Sequence, residues 1–495
     1  HDQEGATLRA SEVKPKLDRF VLSLLNPEEK AHGQNEGWIK SKNDRTWLDY
    51  SLLINATGQN HTVHLSVIQR LNGRYFTDEF PFLLANMGGK ASEEELMNFS
   101  MFSDIKMVVK VTHDTLFAKI KESLAAFFAT NNFGQRKTKG FGSFSVEKIR
   151  IDNQDWQNVV WDINSFYENG TYCLSFPLSG NTIDQQRMLF GVIDFYWRCL
   201  KSGINYTRRR APNNGRGDAR ITNKERYLKS YLWTYLNGKQ ATWEKRKLKQ
   251  HFTCLATNYP VRNYDDNQLT PIFARGLMGC PDKYEYRVPQ NSFAQNNRGM
   301  WREDIQQFSV NITNEYIERI ASPIYFKPIL LTKNNGVLAK VYILFDDLLV
   351  CKLNNLPEDQ RTFNFKLEHN QDNLLLIPID PTKIDYKDLI KKFHFHLFSN
   401  KDYTNSLWGQ YVNNSWAPAV LDISKDENGK IVRKLQRTET KINWKFIPRN
   451  FQWNNILDPD NNSYNKYVSI SVVKRNNEIH CNKHRPNCLN PGDGA

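Results

Sequence analysis

Arg136-Lys137-Thr138-Lys139-Gly140-Phe141-Gly142 sets three cations just ahead of two glycines that are one residue apart. Glycine has no Cβ, so Gly140 and Gly142 let the backbone turn sharply and bring its N–H donors close to a phosphate. Arg136, Lys137 and Lys139 add positive charge at the same spot, and Phe141 can stack on a base or pack inward. The chemistry this spells is grip on a polyanion, with no bond made or broken. A tight helix-to-strand connection with solvated lysines has the same signature, and for a bare G-x-G it would be the default. Three cations within four residues and a net-basic chain tip the balance towards RNA: Lys and Arg number 67 against 53 Asp and Glu, a formal net charge of +14, which favours a polyanionic partner.

Other candidate groups are weaker. Arg208, Arg209, Arg210, Arg216 and Arg220, with Gly215 and Gly217 among them, read equally as a clamp on single-stranded RNA and as a solvated loop. His480, Cys481, His484 and Cys488 are possible zinc ligands, but structural zinc sites draw on two separated knuckles, so neither metal nor cofactor is assigned. His32, His61, His64 and His113 show no carboxylate or nucleophile partner and are read as structural. The seven cysteines stand singly, which argues against a disulfide framework and for a reducing cytoplasm. The most apolar run, Val337 to Cys351, is broken by Lys340, Asp346 and Asp347, so no membrane partner is expected.

The elements that must position the glycine loop follow from periodicity. Arg9 to Leu25 reads as a helix with Val13, Leu17, Phe20, Val21 and Leu24 on its inner face, and Pro15 is expected in its first turn. Tyr50 to Asn55 and Ile105 to Val111 read as strands, and Leu116 to Phe128 as an amphipathic helix that Gly134 is expected to cap. After the loop, Phe144 to Ile151 is expected as a closing strand. Helices are expected over Ile183 to Lys201 and Asn223 to Leu236, then strands at Gln307 to Ile312, Ile324 to Leu331 and Val337 to Lys352, and a helix at Tyr386 to Phe393. The domain reading is residues 1–182, a helical segment 183–260, and residues 261–495.

The order helix, basic G-F-G loop, strand resembles the glycine-rich loop of the RAMP superfamily, the RNA-binding subunits of CRISPR effector complexes. Thr7-Leu8-Arg9-Ala10-Ser11-Glu12-Val13-Lys14-Pro15-Lys16-Leu17-Asp18-Arg19-Phe20 is similar to the first-helix motif of that family, with Pro15 where its glycine stands. Arg275-Gly276-Leu277-Met278-Gly279-Cys280-Pro281 and Arg319-Ile320-Ala321-Ser322-Pro323 resemble a motif pair of the two-domain subunit of Cmr-type complexes. The resemblance implies an α+β chain of two ferredoxin-like (RRM-like) domains with a helical insertion. It implies a non-catalytic subunit of a type III ribonucleoprotein, with guide RNA, target single-stranded RNA and other CRISPR-associated subunits as partners. Arg9, Lys14, Lys16 and Arg19 on the helix would then face RNA beside the loop. The cutting subunits of the superfamily use a loop aspartate whose motif has no match here; Asp2, Asp44 and Asp104 are candidates by composition only. A RAMP-type endoribonuclease is the alternative.

Overall fold

Val13, Leu17 and Val21 recur at helical spacing and are fully buried, and they hold the helix Ala10–Leu24 against its neighbours. Leu24, expected inside, is 59% exposed; the chain leaves the helix there and buries Leu25 instead. Pro15 lies past the first turn, inside the helix. It removes one backbone hydrogen bond and costs about 3 kcal/mol, but three buried aliphatic side chains at roughly 1.5–3 kcal/mol each outweigh it. Asn26 then starts the helix Pro27–Asn35 with a reciprocal capping box to Glu29.

The computed structural model describes residues 8–56, 60–63, 67–71, 74–77, 99–102, 105–134, 136–151, 154–159, 172–180, 182–208, 224–228, 230–239, 241–245, 247–248, 251–252, 270–279, 283–295, 301–317, 320–333, 336–368, 370–399, 404, 408, 419–425, 431–437, 469–475 and 478–484. It divides into two units. One is His1–Ile193 with Phe326–Tyr342 and Asp402–Ala495; the other is Asp194–Tyr325 with Ile343–Lys401. Both are α+β, and the described sheets are small and mostly antiparallel.

In the first unit, Tyr50–Ala56 pairs antiparallel with Ile105–Val111, and the helix Asp114–Thr130 follows. Leu116, Ile120, Leu124, Phe127 and Phe128 from that helix share a core with Val13, Leu17, Val21, Trp38 and Phe133. The helix ends at Asn131, whose side-chain amide caps the Phe127 carbonyl at 2.9 Å. Gly134 has the expected positive φ of 75° but lies beyond the cap. The closing strand is shorter than expected: only Lys148–Ile149 pairs, with Gln157–Asn158. A three-stranded sheet orders Tyr172–Leu178, Gly336–Phe345 and Ile324–Lys333, the last on an edge. The helix Thr182–Trp197 matches the expectation for that region.

In the second unit, Lys283–Gln295, Trp301–Thr313, Thr362–Leu367 and Asn370–Pro378 form an antiparallel sheet. Two expectations are corrected here. The start of the helix expected over Asn223 to Leu236 is a strand, Lys224–Leu228, paired with Ile204–Arg208, and helix begins only at Tyr231. Cross-strand pairing outweighs the helical propensity of Lys224-Glu225-Arg226. The strand expected through Lys352 stops at Phe345, because the Asp346 carboxylate accepts the Leu349 N–H and starts the helix Asp347–Asn355.

Pro15→Ala restores a backbone donor in the middle of an exposed helical turn. It is expected to stabilise the chain by about 1–3 kcal/mol, read as a higher Tm; an unchanged Tm would count against the cost assigned to Pro15.

Candidate nucleic-acid interface

The glycine loop is a closed structure. Asn132 and Ser143 bridge its base, and the Phe133 N–H donates to the Gly142 carbonyl at 2.9 Å. Between them Arg136 takes a left-handed φ of 54°, Lys137–Lys139 makes one 3-10 turn, and Gly140 and Gly142 have φ of 88° and 66°. At positions 140 and 142 these left-handed conformations favour glycine, as the spacing implied. The glycines are also required by packing. A Cβ on Gly140 would press on the Pro328 ring and Ile193, and one on Gly142 would overlap the Phe133 carbonyl. Gly140 is buried, so it seats the loop on the protein body. Phe141 is stacked face to face on Phe190, with centroids 3.9 Å apart and planes at 7°, so one face of the ring expected to take a base is already covered.

The loop rests on an element that periodicity did not connect with it. Asn132 Nδ2 donates to Lys137 O within the loop and to Phe326 O, both at 2.7 Å, and Ser143 Oγ donates to Pro328 O at 2.7 Å. Phe326 and Pro328 lie two apart on the edge strand Ile324–Lys333, so their carbonyls point the same way. The loop therefore covers a sheet edge with side-chain donors in place of another strand. Between them Lys327, 0% exposed, donates from Nζ to Asn131 O and Phe144 O, both at 3.0 Å. One amine thus ties the residue before the loop to the residue after it. Burial pushes its pKa down to about 7. A lone lysine beside a proline in the apolar run Ile324 to Leu331 was the signal available in sequence.

The first helix joins the same construction. Glu12 accepts the Gly134 N–H on both oxygens, at 2.9 and 3.1 Å, and pairs with Lys16 at 2.7 Å. Burial works to raise the Glu12 carboxyl, but the Lys16 and Gly134 donors outweigh it and hold it below its ordinary pKa. Lys16 Nζ also donates to Asn132 O at 3.3 Å and lies over the Phe133 ring. Lys14 binds Asp18 at 3.0 Å and Leu48 O at 2.9 Å and covers the Tyr50 ring. Both lysines are spent mainly on the fold. Arg9, Arg19 and Lys137 are exposed and Arg136 partly so, whereas the Lys139 amine is buried and so does not present its charge to a ligand as the sequence suggested.

The other sequence candidates fare differently. Arg208 ends the strand Ile204–Arg208 opposite Lys224, and Arg209, Arg210 and Arg216 lie outside the described residues. Asp44, with Asn43, has positive φ in the two-residue turn between Ile39–Lys42 and Arg45–Leu48, a turn that favours those residue types. Asp2 and Asp104 are outside the described residues. His480, Cys481 and His484 fall on the strand Glu478–His484 and Cys488 beyond it; among the described residues no His, Cys, Asp and Glu cluster suits a metal. The Arg275 motif is a packing hub of the second unit. Arg275 Nε meets the fully buried Glu244 at 2.7 Å, and its guanidinium lies 3.8 Å from the Tyr284 ring centre. Lys201 holds the Met278 and Gly279 carbonyls at 2.8 and 3.0 Å. Arg319 is outside the described residues, as are Cys280 and Pro281.

Two measurements test this geometry. Gly142→Ala should destabilise the chain by roughly 2 kcal/mol or more in denaturant melts, through a strained φ plus overlap with the Phe133 carbonyl; wild-type stability would refute the packing. For Lys327, the folded state binds the proton less tightly than the unfolded state, whose lysine titrates near 10.5. The unfolded chain therefore holds more protons above pH 7, and stability rises with pH in this window. The gain is roughly 2 kcal/mol from about pH 6.5 to 8.5, and it should be missing from Lys327→Met.

Two families match the chain: the Cmr1 N-terminal domain over residues 1–204 and the Cmr1 C-terminal domain over residues 227–414. No curated protein and no solved structure is similar enough to count as a match. No helix among the described residues is long and apolar enough to cross a membrane. With both domains matched in order along most of its length, the chain belongs to the Cmr1 family, RAMP subunits of the multi-subunit Cmr complexes of type III CRISPR systems.

Proposed function

We propose that this chain holds RNA within the Cmr complex and does not cut it. In this reading it grips guide RNA, target single-stranded RNA or both, near the end of the backbone filament, and needs no metal or cofactor. The observation that carries the reading is the union of first helix and glycine loop through Glu12, Lys16 and Gly134, which sets two basic segments side by side. Arg9, Arg19 and Lys137 are the exposed cations of that element, with Arg136 beside them. Lys14 and Lys16 move from phosphate contacts to supports of the surface. We read Ala10–Leu24, Tyr50–Ala56, Ile105–Val111 and Asp114–Thr130 as the centre of a ferredoxin-like domain, since the two strands pair antiparallel between two helices that share a core.

Contacts of this kind neutralise phosphates, so affinity should fall with salt and be largely indifferent to base sequence. Reversing charge with Arg136→Glu and Lys137→Glu together should weaken single-stranded RNA binding. It should also lower the slope of log affinity against log salt by about 1–1.5, at ~0.7 per lost phosphate contact. An unchanged slope would sink the loop as an RNA contact. Cleavage of the RNA in the same assay would overturn the non-catalytic part and favour a RAMP-type endoribonuclease.

A further inference from the structure

We propose that Trp156, backed by Arg150, is a stacking platform for a nucleobase of bound single-stranded RNA. The proposal rests on the RNA-binding reading and adds a subsite to it. The residues lie on the short ribbon that follows the glycine loop, where Lys148–Ile149 pairs with Gln157–Asn158 in the register Gln157↔Ile149 and Asn158↔Lys148. One further rung sets Arg150 opposite Trp156, and the guanidinium does lie over the indole, with Cζ 5.1 Å from the ring centre. A cation at that distance is held by the ring face it covers.

Trp156 is 49% exposed. An exposed indole on a narrow ribbon offers a large, rigid π-face to a flat partner. Phe117, Tyr316 and Phe395 are also exposed aromatics among the described residues, but Trp156 alone of the four carries a cation over its ring. A base fits the arrangement chemically: its π-face matches the indole, which the Arg150 guanidinium backs. Glu147 and Asp155 are exposed on the same ribbon and offset that charge. Binding here should therefore come from stacking and depend little on salt, unlike binding at Arg136 and Lys137.

The test uses the full chain and an oligouridylate, whose bases stack little on one another. Trp156→Ala should weaken binding about tenfold, within the range for losing one stacked base, while the salt slope stays at its wild-type value. Trp156→Phe should keep most of the affinity. RNA should quench tryptophan fluorescence in the wild type, and the part due to Trp156 should vanish in Trp156→Phe, a signal that a purely structural residue would not give. If Trp156→Ala binds and quenches like wild type while the Arg136 and Lys137 charge reversal still weakens binding, the platform is refuted and the RNA reading stands. If neither variant alters binding, both fall together.

Discussion

Two carbonyls on one sheet edge, with a buried amine between them, carry the glycine loop. A loop of ten or so residues closed at its base has few hydrogen-bond partners of its own, and its backbone cannot stay both tight and solvent-facing without outside support. Phe326 O and Pro328 O take side-chain donors from Asn132 and Ser143, and Lys327 joins Asn131 O to Phe144 O. Pro328 has no N–H to leave unpaired on that edge, and its ring fills the space that a Cβ on Gly140 would need. Strand, loop and helix 10–24 are thus tied by hydrogen bonds into one assembly.

That assembly explains why cations of similar appearance in sequence have different jobs. An amine drawn partly or wholly out of water needs hydrogen-bond acceptors, and Lys14, Lys16 and Lys327 each find them in carbonyl or carboxylate oxygens. The cations left at the surface are those that helix and loop geometry turn outward. A net charge of +14 says only that some face attracts a polyanion. Which face does so depends on which lysines the core has already used.

The second unit shows the same division in another motif. Arg275, Gly276 and Gly279 lie in a segment that resembles a family signature, and each has a packing reason: Glu244 and Tyr284 for the arginine, Phe273 for Gly276, and Ser322 for Gly279, whose φ is 105°. A motif that marks a family therefore need not mark its ligand site.

By itself the sequence determined the local elements and the lineage. Helical spacing located Ala10–Leu24, Asp114–Thr130 and Tyr386–Ser399, and alternation located Ile105–Val111, because burial of one face leaves its period in the residues. Glycine spacing located the left-handed turns at Gly140 and Gly142, since few other residues tolerate them. Where pairing partners are far away, local pattern misled: Lys224–Leu228 is a strand only because Ile204–Arg208 lies beside it. Tertiary structure alone decided that Lys327 reaches the loop, that Phe141 gives a face to Phe190, and that Lys14 and Lys16 turn to internal oxygens. Those contacts join residues far apart in the chain, and hydrogen bonds between such residues leave no period in a sequence to read.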